Sequence, residues 1–264
     1  MDKILFPNLG LEFTVNKIAF SIFGIDIAWY AILITLGIII AMIISYRNAK
    51  KIGLDTEKFM DMFFYMIVFG VIGARIYYVL FNFSLYKDDL LSVFNIREGG
   101  IAIYGAILFG VLTVFIYTKI RKQKFLDCTD CIVPGLALAQ GIGRWGNFVN
   151  QEAYGYETNS LFGMSIVENG RTITVHPTFL YESMLNIFVF IVLMIFFIKY
   201  RKNSGEVTCI YGILYGTGRF FIEGMRTDSL YLGMFRVSQI VSLAFVIIGV
   251  ALFIYLRVKS TKKA

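Results

Sequence analysis

Gly143-Arg144-Trp145-Gly146-Asn147-Phe148-Val149-Asn150-Gln151-Glu152 closes an apolar run with an arginine, two asparagines and a glutamate. Arg144 and Asn147 are three residues apart and share a helix face. A second set recurs every four residues, Tyr215, Arg219 and Glu223, interleaved with Gly212, Gly216 and Gly218, which let a ligand approach. A third is His176-Pro177-Thr178-Phe179-Leu180-Tyr181-Glu182, holding the single histidine. A guanidinium fork matches the oxygens of a phosphate, and low dielectric strengthens the pairing. The chemistry expected is capture of a phospholipid phosphate entering sideways from the outer leaflet. The plainer readings are a structural Arg219–Glu223 pair, an Arg75 that snorkels outward along Tyr77 and Tyr78, and a capping or surface His176. Arg144 has no acidic residue one turn away to neutralise it.

The elements that must position these groups are membrane spans. Over 264 residues, 58% are hydrophobic and only 16% charged, outside what a water-facing surface tolerates. Seven stretches have the roughly 20 residues needed to cross a bilayer as helices: 26–46, 58–80, 99–119, 130–150, 178–199, 207–225 and 236–257. Long continuous apolar runs exclude a β-barrel. The fold class predicted is an all-α integral membrane protein, a seven-helix bundle forming a single domain over 1–264, with small extracytoplasmic elements. Met1 to Phe20 carries Asp2, Lys3, Glu12 and Lys17 and lacks the core of a cleavable signal peptide, so the first span serves as the targeting segment.

Alternate connecting segments hold 15 of the 25 basic residues, around Arg47–Lys58, Lys119–Lys124, Lys199–Lys202 and Arg257–Lys263. The opposite segments hold 7: Lys3, Lys17, Lys87, Arg97, Arg171, Arg226 and Arg236. The basic side is cytoplasmic, which puts the N-terminus outside and the C-terminus inside. The +7 charge reflects topology and anionic lipid, and excludes nucleic acid as the partner. The remaining three arginines, Arg75, Arg144 and Arg219, fall inside predicted spans, where each costs roughly 2.5–3.5 kcal/mol on insertion scales. At about 1.5 Å per residue they all lie in the outer half, level with Tyr30, Tyr104, Tyr181 and Glu182 of the opposing spans.

An anion transporter or channel would also use membrane arginines, but would need a polar path into the cytoplasmic half. Metal-dependent headgroup transfer would need clustered carboxylates, and the one close cytoplasmic pair, Asp127 with Asp130, reads as favourable charge at a helix start. Cys128-x-x-Cys131 lacks a second ligand pair, and with Cys209 it reads as inert. Neither a metal nor a cofactor is expected. The longest external insertion, Gln151 to Pro177, predicts a turn at Asn169-Gly170 and a strand over Thr172–Val175.

The motifs together resemble the prolipoprotein diacylglyceryl transferase family. Gly143 to Gly155 is similar to its long signature. Trp29-Tyr30, Gly73-Ala74-Arg75, Gly99-Gly100, His176 to Glu182 and Tyr215 to Glu223 follow in family order. The resemblance implies a seven-helix enzyme of the bacterial cytoplasmic membrane. Such an enzyme moves the diacylglyceryl group of phosphatidylglycerol to the lipobox cysteine of a prolipoprotein signal peptide, leaves a thioether and releases glycerol phosphate. Its partners would be phosphatidylglycerol, that signal peptide and membrane lipid. Arg144 and Arg219 then clamp the phosphate, Asn147 and Tyr30 orient the headgroup, and Glu152, Tyr215 and Glu223 hold the clamp. Arg75, His176 and Glu182 join the binding surface, and Gly155 lets the chain turn.

One position departs from the family. Many members carry a histidine after the paired glycines of the third span, where this chain has Tyr104. A phenol of ordinary pKa about 10 is a poor base unless an arginine lowers it. Tyr104 positions substrate, or acts as an activated phenolate, or the base lies elsewhere.

Overall fold

The apolar runs fold into seven long helices in the structure, a computed structural model that describes residues 2–95, 99–168 and 170–261. They are α1 (Trp29–Lys51), α2 (Thr56–Phe81), α3 (Ile103–Ile120), α4 (Phe125–Asn150), α5 (Thr178–Lys199), α6 (Glu206–Glu223) and α7 (Val237–Thr261). Arg97, Asn169, Lys262 and Lys263, which entered the charge count and the predicted Asn169-Gly170 turn, lie outside the described residues. Six helices, all but α6, are long and apolar enough to cross a membrane. Those six support a multi-pass membrane protein. α6 is an 18-residue helix that carries Glu206, Arg219 and Glu223 within that length, so no 18-residue stretch of it holds fewer than three charges.

The structure is mostly helical, but all-α is too narrow a class, because among the described residues eight short strands accompany the helices. β1 (Asp2–Phe6), β2 (Leu11–Val15), β5 (Met164–Glu168) and β6 (Arg171–Val175) form one antiparallel sheet in the order β2-β1-β5-β6. β3 (Ile18–Ile22) pairs with β4 (Ile25–Ala28), and β7 (Tyr231–Leu232) with β8 (Phe235–Arg236). β6 contains the predicted strand over Thr172–Val175. β4 occupies the start of the predicted first span, so α1 begins at Trp29 and extends to Lys51.

The chain divides into two compact units, residues 46–131 and residues 1–45 with 132–264. In the first, α2 packs on α3, and α2 is capped by Asp55, whose carboxylate accepts from the Lys58 amide at 3.2 Å. In the second, the large sheet seats two helix ends. Ile4, Phe6, Met164, Ile166 and Val175 of the sheet form one buried cluster with Phe148 of α4 and Phe179 of α5. Phe148 lies 4.9 Å from Phe179 between ring centroids, and Phe13 of β2 meets Phe148 edge-on at 5.7 Å. Trp145 Nε1 donates to Ser183 Oγ at 3.2 Å, and that hydroxyl donates to the Gly141 carbonyl at 3.0 Å, tying α4 to α5 at the residue that follows Glu182.

Candidate active site

Glu182, in the second turn of α5, is 1% exposed and gathers three arginines from different parts of the chain. Arg144 Nη2 of α4 lies 2.7 Å from Glu182 Oε2, Arg219 Nη1 of α6 donates to Oε1, and Arg226 Nη1 approaches Oε1 at 3.5 Å. Arg219 Nη2 also reaches Glu223 Oε2 at 2.5 Å, one helical turn on. The Arg144–Glu182 and Arg219–Glu223 contacts lack directed hydrogen-bond geometry at those carboxylate oxygens. With every group ionised, Arg144, Arg219 and Arg226 are balanced by Glu182, Glu223 and Asp228, the last half exposed at the edge. Asp228 is committed to Arg226, and Arg144, with a side chain 25% exposed, is the most open guanidinium of the group to an anionic headgroup.

The polar run at the end of α4 is a relay built on Arg144. Its Nη1 donates to Asn147 Oδ1 at 3.3 Å, and Asn147 Nδ2 donates to Glu152 Oε1 at 2.9 Å, with Asn150 Nδ2 a second donor to that oxygen at 3.2 Å. Glu152 can turn back because α4 ends in a left-handed Gln151, φ +54, followed by the Glu152 amide bonding to the Asn147 carbonyl at 3.1 Å. That six-to-one bond is the helix-ending pattern that reverses the chain. Tyr30 of α1 lays its ring against Gly146, where no Cβ could fit. The Tyr215 hydroxyl faces Arg144, Arg219 and Glu182, and its ring stacks on Tyr211 at 5.4 Å between centroids.

Gly155 and His176 stand beside this cluster as backbone. The Gly155 amide donates to the His176 carbonyl at 2.9 Å, and Tyr156 N donates to the Met225 carbonyl at 3.0 Å, so residues 154–156 run between two other segments. A Cβ on Gly155 would lie 2.8 Å from both His176 Cβ and the Met225 carbonyl. Gly155 thereby holds Arg226, its bridge partner, against Glu182. His176 Nδ1 pairs with the Tyr181 hydroxyl at 3.2 Å.

Arg226 was missed by sequence reasoning, which counted it with the external loops. Seven residues beyond Arg219, just past the end of α6, it could have been read as two further turns of the same face. Arg226 holds Asp228 through Nε and Nη2 at 2.8 and 2.7 Å, and that bidentate hydrogen bond keeps the Asp228 carboxyl below the usual carboxylate range. A carboxyl lowered in the folded state stabilises the fold above its unfolded pKa, about 3.9, and loses that stabilisation as pH falls through the lower folded value. The thermal midpoint is expected to drop below about pH 4, more steeply for the wild type than for Asp228→Asn. Half exposure keeps this difference small, and superimposable acid limbs would contradict it.

In the unit of residues 46–131, Arg75 is 7% exposed and has every donor nitrogen engaged. Nε donates to the Val93 carbonyl at 2.7 Å, Nη1 to Gly99 and Gly100 at 2.9 and 2.8 Å, and Nη2 to Ser92 and Asn95 at 2.8 and 3.1 Å. Gly100, φ +76, is pressed against that guanidinium where a Cβ would collide. Arg75 thus organises the loop between α2 and α3, with Tyr86 under its guanidinium at 5.1 Å. Tyr104, in the first turn of α3, sits half-buried beside Tyr77, ring centroids 6.4 Å apart.

A family model described as prolipoprotein diacylglyceryl transferase matches residues 17–255. The chain is 45% identical over 252 residues to the phosphatidylglycerol–prolipoprotein diacylglyceryl transferase of Finegoldia magna, covering 94% of this chain and 100% of that one. It is 46% identical over 246 residues to the protein of the same description from Clostridioides difficile, covering 93% and 97%. It is 44% identical over 253 residues to that of Clostridium novyi, covering 93% and 98%.

Proposed function

This chain belongs to the prolipoprotein diacylglyceryl transferase family, and from that premise we propose how its residues perform the reaction. The protein transfers diacylglyceryl from phosphatidylglycerol to prolipoprotein, the first step of lipoprotein maturation. The thiolate of the lipobox cysteine attacks the glycerol carbon that bears the phosphate ester. A carbon–sulfur bond forms as the carbon–oxygen bond breaks. The electron pair leaves with glycerol phosphate, and the thiol proton passes to a base. A thiol of ordinary pKa near 8.5 needs that deprotonation to become the nucleophile.

The gathering of Arg144, Arg219 and Arg226 around Glu182, with Arg144 the most exposed of the three, carries this reading. Negative charge grows on the phosphate as the ester bond breaks, and prepositioned guanidinium groups stabilise that charge without reorganising. Arg144 and Arg219 form the clamp, Asn147 and Tyr30 orient the headgroup, and Glu152, Tyr215 and Glu223 hold the clamp in geometry. Glu182 is the counterion that keeps the arginines gathered. Gly155 and His176 serve through the backbone pairing that seats Arg226. Arg75 serves through the loop it holds, since its donors are committed to carbonyls.

The reading extends to topology. The polar helix α6 is the seventh span, the N-terminus lies outside and the C-terminus in the cytoplasm of the bacterial cell, and residues 1–264 work as one transferase domain. Purified protein incubated with phosphatidylglycerol and a lipobox peptide is expected to add a diacylglyceryl mass to the peptide. Absence of that gain, or an equal gain with the peptide cysteine changed to serine, would overturn the mechanism.

Substitution at Tyr104 tests where the base lies. If its hydroxyl takes the thiol proton, Tyr104→Phe falls by roughly 100-fold or more, within the range for loss of a general base. Tyr104→His then restores activity with a pH profile shifted to lower pH, following the lower ordinary pKa of imidazole. Unchanged activity in Tyr104→Phe gives the hydroxyl a positioning role at most.

A further inference from the structure

Two β-hairpins take no part in the chemistry described above. β3–β4 turns through Phe23 and Gly24, φ +50 and +78, between the paired Ile22 and Ile25. β7–β8 turns through Gly233, φ +61, and Met234, between the paired Leu232 and Phe235. Two-residue hairpin turns favour asparagine, aspartate and glycine, which accept the left-handed backbone. Here each turn combines glycine with a large apolar side chain, and Phe23 accepts a left-handed backbone to occupy it. Phe23 and Met234, 101% and 93% exposed, are the two most exposed large apolar side chains among the described residues.

The flanks are apolar as well. Phe20, Ile22 and Ile25 are exposed on one hairpin, and Leu230, Leu232 and Phe235 around the other. The polar groups near the tips are turned inward or matched. Ser21 Oγ donates to Asp26 Oδ1 at 2.5 Å, and Arg236 is buried, donating to the Tyr156 hydroxyl at 2.5 Å and to the Glu223 carbonyl. Contiguous exposed apolar surface of this kind marks an interaction site.

Continuity with the spans identifies the occupant. Ala28 of β4 is followed directly by Trp29, the first residue of α1, and Arg236 of β8 by Val237, the first of α7. Both helix starts lie at the site end, since the Tyr30 ring rests on Gly146 and Arg236 reaches Glu223. Trp29 and Tyr231 at the hairpin bases are the aromatic types that settle at the headgroup level. We propose that β3–β4 and β7–β8 are membrane-inserted fingers whose tips, Phe23-Gly24 and Gly233-Met234, lie among the acyl chains of the leaflet next to the arginine cluster. Through Arg236, the second finger fixes the Glu223 end of α6 at a set depth. The proposal rests on the multi-pass reading and is independent of the roles assigned to the arginines.

Full-length protein carrying Phe23→Cys, Ile25→Cys or Met234→Cys is labelled with a nitroxide and reconstituted in phosphatidylglycerol-containing vesicles. The native cysteines are buried, and the unsubstituted chain taken through labelling is the blank. Asn159→Cys, in an exposed loop, supplies the aqueous reference. Oxygen collisions are expected to exceed those of a water-soluble nickel chelate at the three finger positions, with the ratio inverted at position 159. Finger positions that match position 159 overturn the proposal. Protection that develops only when a lipobox peptide is added also overturns it, and makes the peptide the occupant. Transfer assays on the same samples separate the two readings. Retained transfer with finger positions in water removes the insertion and leaves the enzymatic mechanism standing, whereas inserted fingers in a wild type without transfer do the reverse.

Discussion

Glu182→Ala is expected to lose transfer and to destabilise the protein by roughly 3–5 kcal/mol, the penalty for removing one partner of a buried ion pair. Arg144, Arg219 and Arg226 all face this carboxylate, and only Glu223 and the half-exposed Asp228 would remain to neutralise them. Like charges within a few ångströms at reduced dielectric repel by several kcal/mol, so the helix ends holding them should splay. The measurements are the thermal midpoint in detergent and peptide mass gain. Glu182→Gln keeps the shape and an acceptor but removes the charge. If charge is what gathers the arginines, Gln is as damaging as Ala, while Glu182→Asp recovers part of the midpoint. A Glu182→Ala protein with the wild-type midpoint and activity would end the view of this residue as the hub.

Arg144→Ala should behave in the opposite way, with activity lost and the fold kept. Arg144 retains 25% side-chain exposure, and without it Glu182 still has Arg219 and Arg226. Stability should therefore change little, while removal of one preorganised donor to a developing oxyanion lowers turnover by roughly 100- to 1000-fold. Arg144→Lys keeps the charge but gives up the planar fork and its hold on Asn147, and should recover only part of that loss. The decisive comparison is turnover with saturating phosphatidylglycerol at matched thermal midpoint. Wild-type turnover in Arg144→Ala would remove it from the clamp.

The contrast between these two residues marks what could be read from the chain in one dimension. Arg144 stood out in the sequence because a charge inside an apolar run is costly. Its lack of an acidic neighbour one turn away argued that it was uncompensated. The structure supplies the compensation from α5, 38 residues on, in Glu182. Local spacing reveals partners on the same helix, as it did for Arg219 and Glu223, and is silent about partners on another. Arg226 was assigned to a loop by charge counting, yet backbone pairing with Gly155 turns it inward. Arg75 read equally as a site residue or an outward snorkel. It is instead saturated by five carbonyls of the loop that follows its own helix.

Strands other than β6 escaped sequence reading for a different reason. β3, β4, β7 and β8 are two to five residues long and adjoin apolar helices, so their composition merges with that of the spans. Period-two and period-3.6 patterns cannot be told apart over so few residues.

Sequence alone determined the multi-pass membrane class, the long helices near the predicted positions, and most of the polar groups of the candidate site, because bilayer thickness and the cost of buried charge act on composition and run length. Tertiary structure alone decided which of those charges meet. Helices remote in sequence set Glu182 among three arginines, a sheet seats the ends of α4 and α5, and a turn with a left-handed Gln151 brings Glu152 back to Asn147. Those pairings depend on the order of helices in space and on backbone reversal at their ends, neither of which leaves a periodic mark in the sequence.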